Sequence, residues 1–218
     1  MRKIYMNTLK TVAGLFIFMA FLSCSTAYYR TMEAFGVHKR DLLVKNVEQA
    51  RDSQEEAGEQ FRTALEKFSE VVGFEGGQLQ EKYETLKSEY ERSEDRAARV
   101  RQRIADVEEV AGDLFQEWEK ELEEYSSREL RRSSEKTLRE TRRKYDQLIA
   151  AMKQAESKMP PVLARLKDNV LFLKHNLNAR AIASLQGTAS ELEEDVEELL
   201  EELEQSISEA NRFIDELL

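Results

Sequence analysis

The side chains best suited to chemistry in this sequence are one cysteine and two histidines: Cys24, His38 and His175. A cysteine thiolate is a strong nucleophile and can be modified covalently. Cys24 is the only cysteine, so it cannot form a disulfide within the chain. It directly follows a small residue, Ser23, at the end of an apolar run. We therefore interpret Cys24 as a site of covalent modification rather than as a catalytic nucleophile.

The N-terminal residues have the organisation of a secretory signal peptide. Residues 1–10 carry three basic residues and no acid, and residues 11–22 form an uncharged apolar run. That run is shorter than the about 20 residues that a helix needs to span a bilayer. The pattern therefore predicts a signal peptide over residues 1–23 that is cleaved. The alternative is an uncleaved anchor in which Cys24 has no role.

The sequence around the cleavage position, Phe21-Leu22-Ser23-Cys24, resembles a bacterial lipobox. It departs from that pattern at Phe21, where leucine is usual. The resemblance implies cleavage before Cys24, with lipid on its sulfur and its amine, so that residues 24–36 form a lipidated tether. Three acyl chains would exceed the two signals that stable anchoring needs. Ser25 in place of aspartate implies, by resemblance to enteric lipoproteins of Gram-negative bacteria, the periplasmic face of the outer membrane; the inner membrane is the alternative.

No arrangement of residues indicates catalysis. The sequence lacks the HExxH, GxxxxGK[ST], GxGxxG, GxSxG and CxxC patterns. The richest acidic segment, residues 191–204, holds nine acids in 14 residues. It could bind a divalent cation weakly, but we favour an exposed helix face, because calcium loops need a glycine turn that this run lacks. We expect no enzyme activity, no cofactor and no metal site.

Composition and charge limit the partners of the chain. Charged residues make up 35%, and only 2 prolines and 8 glycines are present, which is typical of long helices. The net charge is −10. Nucleic acid binding depends on neutralising phosphates with lysine and arginine, so we expect no nucleic acid partner. By the same reasoning, we expect membrane binding to come from the N-terminal lipid and not from anionic head groups.

Apolar residues after residue 36 follow heptad spacing, which predicts an all-α fold. Short turns favour antiparallel neighbours. We predict an elongated antiparallel coiled-coil bundle over residues 37–218, with three long helices and a shorter fourth. Pro160-Pro161 leaves the heptad register intact, which favours a kink within the third helix. The predicted helices are 37–72, 78–126, 129–185 and 188–217.

One segment, residues 170–185, lacks acids in a chain that is full of them. In one interpretation its asparagines, with Asn169, lie on a helix seam and fix the register of the bundle. In the other, the segment docks a partner, either an envelope protein or a second copy of the chain. The candidate docking residues are Phe172, His175, Asn176, Asn178 and Arg180.

The lipobox-like start, the heptad hairpin and the sequences 159–163 and 171–179 together resemble an uncharacterised family of gammaproteobacterial lipoproteins with coiled coils. Some members of that family are labelled as DNA repair ATPases. This chain has no phosphate-binding loop, so we interpret that label as a cross-match between coiled coils. The resemblance covers most of residues 24–217 and implies no mechanism.

Three functions are compatible with these patterns. The leading one is a lipid-anchored periplasmic coiled-coil protein with a structural or adaptor role. The second is a self-assembling coiled coil of the phage-shock type on a membrane surface, which the all-round apolar character of residues 11–22 disfavours. The third is a cytosolic accessory of a DNA repair ATPase, which a signal peptide would contradict.

Overall fold

The computed structural model describes residues 39–73, 79–176 and 178–217, and all regular structure in these ranges is helical. This confirms the predicted all-α class. The second to fourth helices and nearly all of the first lie in one compact unit, Leu43–Leu218, whereas Met1–Leu42 form another. The helices are α1, Lys39–Val72; α2, Leu79–Glu121; α3, Arg128–His175; and α4, Ala179–Leu217.

The predicted seam of α1 is buried at every position. Its residues are spaced alternately three and four apart, which keeps them on one face of the helix. The one polar member, Gln54, is as deeply buried as its apolar neighbours. The heptad prediction for this helix is therefore confirmed. The seam residues, each at most 1% exposed, are Leu43, Val47, Ala50, Gln54, Ala57, Phe61, Ala64, Phe68 and Val71.

Side-chain contacts between the helices show that each helix runs antiparallel to two neighbours. As residue numbers rise along one helix, those of the partners on the next helix fall: Gln60 meets Glu89 while Gln49 meets Arg103, and Arg101 meets Glu156 while Glu119 meets Arg142. Helices α1 and α4 also touch, because Ser206 donates a hydrogen bond to Gln54. Residues 43–217 therefore form a closed four-helix bundle. The pairs that relate neighbouring helices are Gln60–Glu89 and Arg103–Gln49 for α1 and α2, Arg101–Glu156 and Arg142–Glu119 for α2 and α3, Lys158–Glu198 and Lys144–Glu216 for α3 and α4, and Ser206–Gln54 and Arg51–Asn211 for α1 and α4.

The turn between α2 and α3 lies close to its predicted position. In the sequence, Ser126 followed by Glu129 is a capping-box pattern, but the N-cap is Ser127, whose hydroxyl accepts a hydrogen bond from the Leu130 amide at 3.3 Å. Helix α2 ends at Glu121 rather than near residue 126. Heptad spacing along α2 predicts that Leu114 and Tyr125 are buried, but after Ala111 the buried residues are Phe115 and Leu122 instead.

Helix α3 continues through both prolines, as the register across them predicted. Pro160 and Pro161 are exposed, while Met159 and Val162 on either side of them are buried. The apolar face of the helix therefore passes the proline pair without a shift.

The predicted boundary between α3 and α4 is wrong. Helix α3 ends at His175 rather than at residue 185, and α4 begins at Ala179 rather than at residue 188. With 39 residues, α4 is longer than the 34-residue α1, so it is not the predicted shorter helix. The predicted turn around Gly187 is helical, and the space beside this glycine is open. A single glycine weakens a helix by only about 1 kcal/mol and did not end this one.

Candidate functional site

The turn between α3 and α4 is formed by asparagine side chains and backbone. Asn176 is the C-cap, and its amide donates to the Leu173 carbonyl at 3.1 Å. Its side-chain nitrogen donates to the Phe172 carbonyl at 2.9 Å. The Asn178 amide then donates to the Asn176 carbonyl at 2.9 Å. These bonds satisfy carbonyls that the end of a helix leaves without partners, which explains why α3 stops here.

The candidate docking residues gather at this turn. Phe172 is 38% exposed, and its neighbour Leu171 is 46% exposed. His175 and Asn178 are exposed, Asn176 is half-buried, and Arg180 belongs to the first turn of α4, although its side chain lies outside the described residues. Sequence reasoning omitted Leu171, whose exposure would be expected only once the end of α3 is known. The turn therefore presents two apolar side chains beside polar ones.

The asparagines of this segment have different roles. Asn169 is buried and accepts a hydrogen bond from the Thr188 hydroxyl of α4 at 3.4 Å. That contact joins two helices and matches the predicted role of a seam asparagine. Asn176 caps a helix, and Asn178 is exposed in the turn. The predicted burial of Asn169 is therefore confirmed, while its role in register and the surface interpretation of the residues around Phe172 stay predictions.

The acidic segment of α4 is joined to α3 by charged and polar pairs. Arg165 binds both Glu191 and Asp195, Lys158 binds Glu198, and Gln154 binds Glu202. The hydrogen bond to Glu198 raises the pKa of Lys158, and those to Asp195 and Glu191 raise the pKa of Arg165. Four members of this acidic run are therefore paired with a neighbouring helix, although Glu191 and Glu198 remain exposed to solvent. Sequence patterns within α4 alone could not show that pairing.

The remaining histidine, cysteine and carboxylate side chains do not form a further candidate site in the described part of the chain. Within the described parts of the chain, no three histidine, cysteine or carboxylate residues are close enough together to hold a metal ion. Cys24 and His38, with the whole predicted signal peptide and tether, lie outside the described residues. Over residues 39–73, 79–176 and 178–217, no helix is both long enough and apolar enough to cross a bilayer.

Comparison with known proteins gives a family without a described activity. The family model for a protein of unknown function, DUF2959, matches residues 28–217. No curated protein matches the chain, and no solved structure does.

Proposed function

Because this chain belongs to the DUF2959 family, whose function is unknown, we propose a role from its own residues: a lipid-anchored, non-catalytic adaptor of the bacterial cell envelope. Cys24 carries the lipid, and the helical bundle stands on the periplasmic side of the membrane, most simply the outer membrane. The observation that carries this proposal is the position of the only cysteine, directly after a basic segment, an apolar run and a serine.

The helical body supports a structural role. In α1 a continuous apolar seam fills the interior of the bundle, and charged residues such as Arg165 and Lys158 are engaged between helices. Groups committed to such contacts hold helices in register rather than act on a substrate. We propose that the helices pack as a coiled coil, with α1 seam residues as knobs between side chains of α2 and α4.

Covalent labelling tests the anchor. Cells that express the full chain are grown with radiolabelled palmitate, and Cys24→Ala is compared with Ser23→Ala, which keeps the thiol and a small residue before it. We expect label in the wild type and in Ser23→Ala, and none in Cys24→Ala. Label that persists in Cys24→Ala, or a wild-type protein that stays unlabelled in the cytosol, contradicts the proposal.

The adaptor role needs a docking surface, which we place at the turn between α3 and α4. Leu171 and Phe172 supply apolar area there, while His175, Asn176 and Asn178 supply polar groups, and Arg180 follows in the first turn of α4. Exposed apolar side chains rimmed by polar ones are typical of protein interaction sites. Among the exposed residues 171–178 that the structure describes, Lys174 is basic and none is acidic, although Asp168 is exposed one turn earlier in α3.

Co-purification tests the docking surface. The lipidated chain is isolated from detergent-solubilised membranes as wild type, Phe172→Ala and Leu130→Ala, the last being an exposed leucine at the far end of α3. A partner that docks at the turn is lost with Phe172→Ala and kept with Leu130→Ala. Identical co-purifying proteins in all three samples contradict a docking role for Phe172.

A further inference from the structure

The hairpin made by the end of α2 and the start of α3 extends beyond the neighbouring helices. Lys144 pairs with Glu216, in the last turn of α4, at 2.7 Å. Helix α3 begins at Arg128, about 16 residues earlier, which is about 24 Å of helix. Within residues 43–217, this hairpin is therefore a two-helix projection. It lies at the end of the bundle where the chain enters at Leu43, since Gln49 meets Arg103 in the second half of α2.

The outer face of α3 in this projection is a basic stripe. Its members are spaced four, four, three and four residues apart, which keeps them within one face of a helix. That face points away from the buried Leu138 and Leu148. Among the described residues, the one carboxylate within 4.0 Å of a stripe cation is Glu140, 3.8 Å from Lys136. Arg143, at the end of the stripe nearest to α4, lines a surface cavity together with Glu209 and Glu216. The stripe consists of the exposed side chains Arg128, Arg132, Lys136, Arg139 and Arg143.

The tip of the hairpin adds apolar side chains. Tyr125 is 41% exposed and Leu130 is 59% exposed. Tyrosine is enriched at bilayer interfaces, where its ring contacts lipid and its hydroxyl contacts water. The exposed glutamates 119, 121, 123 and 124 belong to α2 and the turn, whereas Glu129 and Glu140 are exposed on α3 beside the stripe. Residues 128–143 still hold seven basic residues against three acids. The hairpin thus has one basic side with an apolar tip.

We infer that the basic stripe is a second membrane contact, which binds the phosphate groups of anionic phospholipids. Arginine guanidinium groups match phosphate geometry with paired hydrogen bonds, and four of the five stripe residues are arginines. A cluster of this size on one helix face is typical of binding to anionic lipid head groups. The inference rests on the proposed lipid anchor, since that anchor brings this end of the bundle to a bilayer.

The distribution of charge, rather than its sum, permits this contact. The net charge of −10 predicts repulsion from anionic surfaces, but charges further away than about 8–10 Å are screened at physiological ionic strength. The end of the acidic run of α4 nearest to the hairpin lies around Glu202, opposite Gln154, which is about 11 residues or about 16 Å along α3 from Arg143. A flat layer of head groups can therefore meet the stripe without approaching that run.

A fluorophore at the tip tests the inference. The full chain with Ser126→Cys is purified from membranes, labelled with an environment-sensitive thiol reagent and reconstituted into vesicles. If Cys24 carries lipid, position 126 holds the only free thiol. Labelling of the chain without Ser126→Cys would therefore reveal a failure of the proposed anchor before any vesicle is added.

We expect the emission to shift to shorter wavelength in vesicles that contain phosphatidylglycerol, but not in pure phosphatidylcholine, and the shift to be lost in high salt. Replacing Arg128, Arg132 and Arg139 with glutamine abolishes the shift. The control variant carries Arg62→Gln, Lys167→Gln and Lys174→Gln, which remove the same amount of charge from exposed residues elsewhere. We expect this control to keep the emission shift. Circular dichroism confirms that both triple variants fold.

Three results would overturn the inference. The first is an equal shift in neutral vesicles, which would make the contact purely apolar. The second is a shift that survives in the stripe variant while the anchor is intact. The third is an equal shift with a single-stranded oligonucleotide in place of phosphatidylglycerol, which would assign the stripe to nucleic acid.

Discussion

Helix α4 is held on its two sides by different kinds of contact. Toward α1 the contact is buried: Ser206 and Gln54 are both 0% exposed and hydrogen bond at 2.9 Å. A methyl group at Gly58 of α1 would make ordinary van der Waals contact with Leu200 and Leu203 of α4, at 3.5 and 3.6 Å. Toward α3 most polar contacts lie at the rim, where Arg165 and Glu191 are 39% and 59% exposed, while the buried Asn169 accepts one long hydrogen bond from Thr188 at 3.4 Å.

The difference indicates how each interface specifies its register. A buried hydrogen bond is costly to break, because the group left behind stays desolvated. An exposed ion pair is weak, because water and salt replace the lost partner. We therefore expect the alignment of α1 to depend mainly on the buried Ser206–Gln54 contact, with the exposed Arg51–Asn211 hydrogen bond adding little, and that of α3 to depend on several weak contacts.

The larger effect is expected at the buried pair. Ser206→Ala leaves the Gln54 carboxamide oxygen without its donor, beside a Gln54 nitrogen that already has no partner among the described residues. We expect a loss of about 1–3 kcal/mol in the free energy of unfolding. The double variant Gln54→Leu with Ser206→Ala removes the polar groups together and should recover most of that loss. Urea denaturation of the variants measures both values.

Ser69→Ala is the matched control for this series, because the Ser69 hydroxyl is exposed and bonds only within its own helix, to the Leu65 carbonyl. It should be neutral or slightly stabilising, since alanine favours helix. A double variant that is less stable than Ser206→Ala alone would mean that the polar pair stabilises the bundle, not only its register.

The two sides of α4 also differ in how well the sequence predicts them. The α1 seam, including Gln54, follows from heptad spacing, because a buried stripe imposes its period on the sequence. The partner of Gln54 does not follow, since Ile207 and not Ser206 fits the expected line of α4. In the structure Ser206 is fully buried and Ile207 is only partly so. Because α4 packs against both α1 and α3, its buried face is wide. The most deeply buried residue can therefore lie one position away from the heptad line while the heptad spacing of the apolar residues is kept.

The turn at Asn176 was missed for a related reason. An asparagine within a run of apolar residues can take either of two structural roles: a buried residue that fixes register, or a helix cap. Asn169 is the first and Asn176 the second, yet both fit the same heptad line. Only the hydrogen bond from the Asn176 side chain to the Phe172 carbonyl separates them, and that contact depends on where the chain turns.

The smaller effect is expected at the rim. Arg165→Gln removes the contacts to Glu191 and Asp195, which are exposed to solvent and screened by salt. We expect a loss below about 1 kcal/mol in the free energy of unfolding. The difference from wild type should shrink further as the salt concentration rises. Urea denaturation at low and high salt measures this change.

Arg62→Gln is the matched control for the rim, since Arg62 is exposed on α1 and the same charge is removed. It should differ little from wild type at either salt concentration. If Arg165→Gln instead cost as much as Ser206→Ala and kept that cost in high salt, the rim would specify register as strongly as the buried pair. Helix α4 would then be held equally on both sides, and the contrast between buried and exposed contacts would fail.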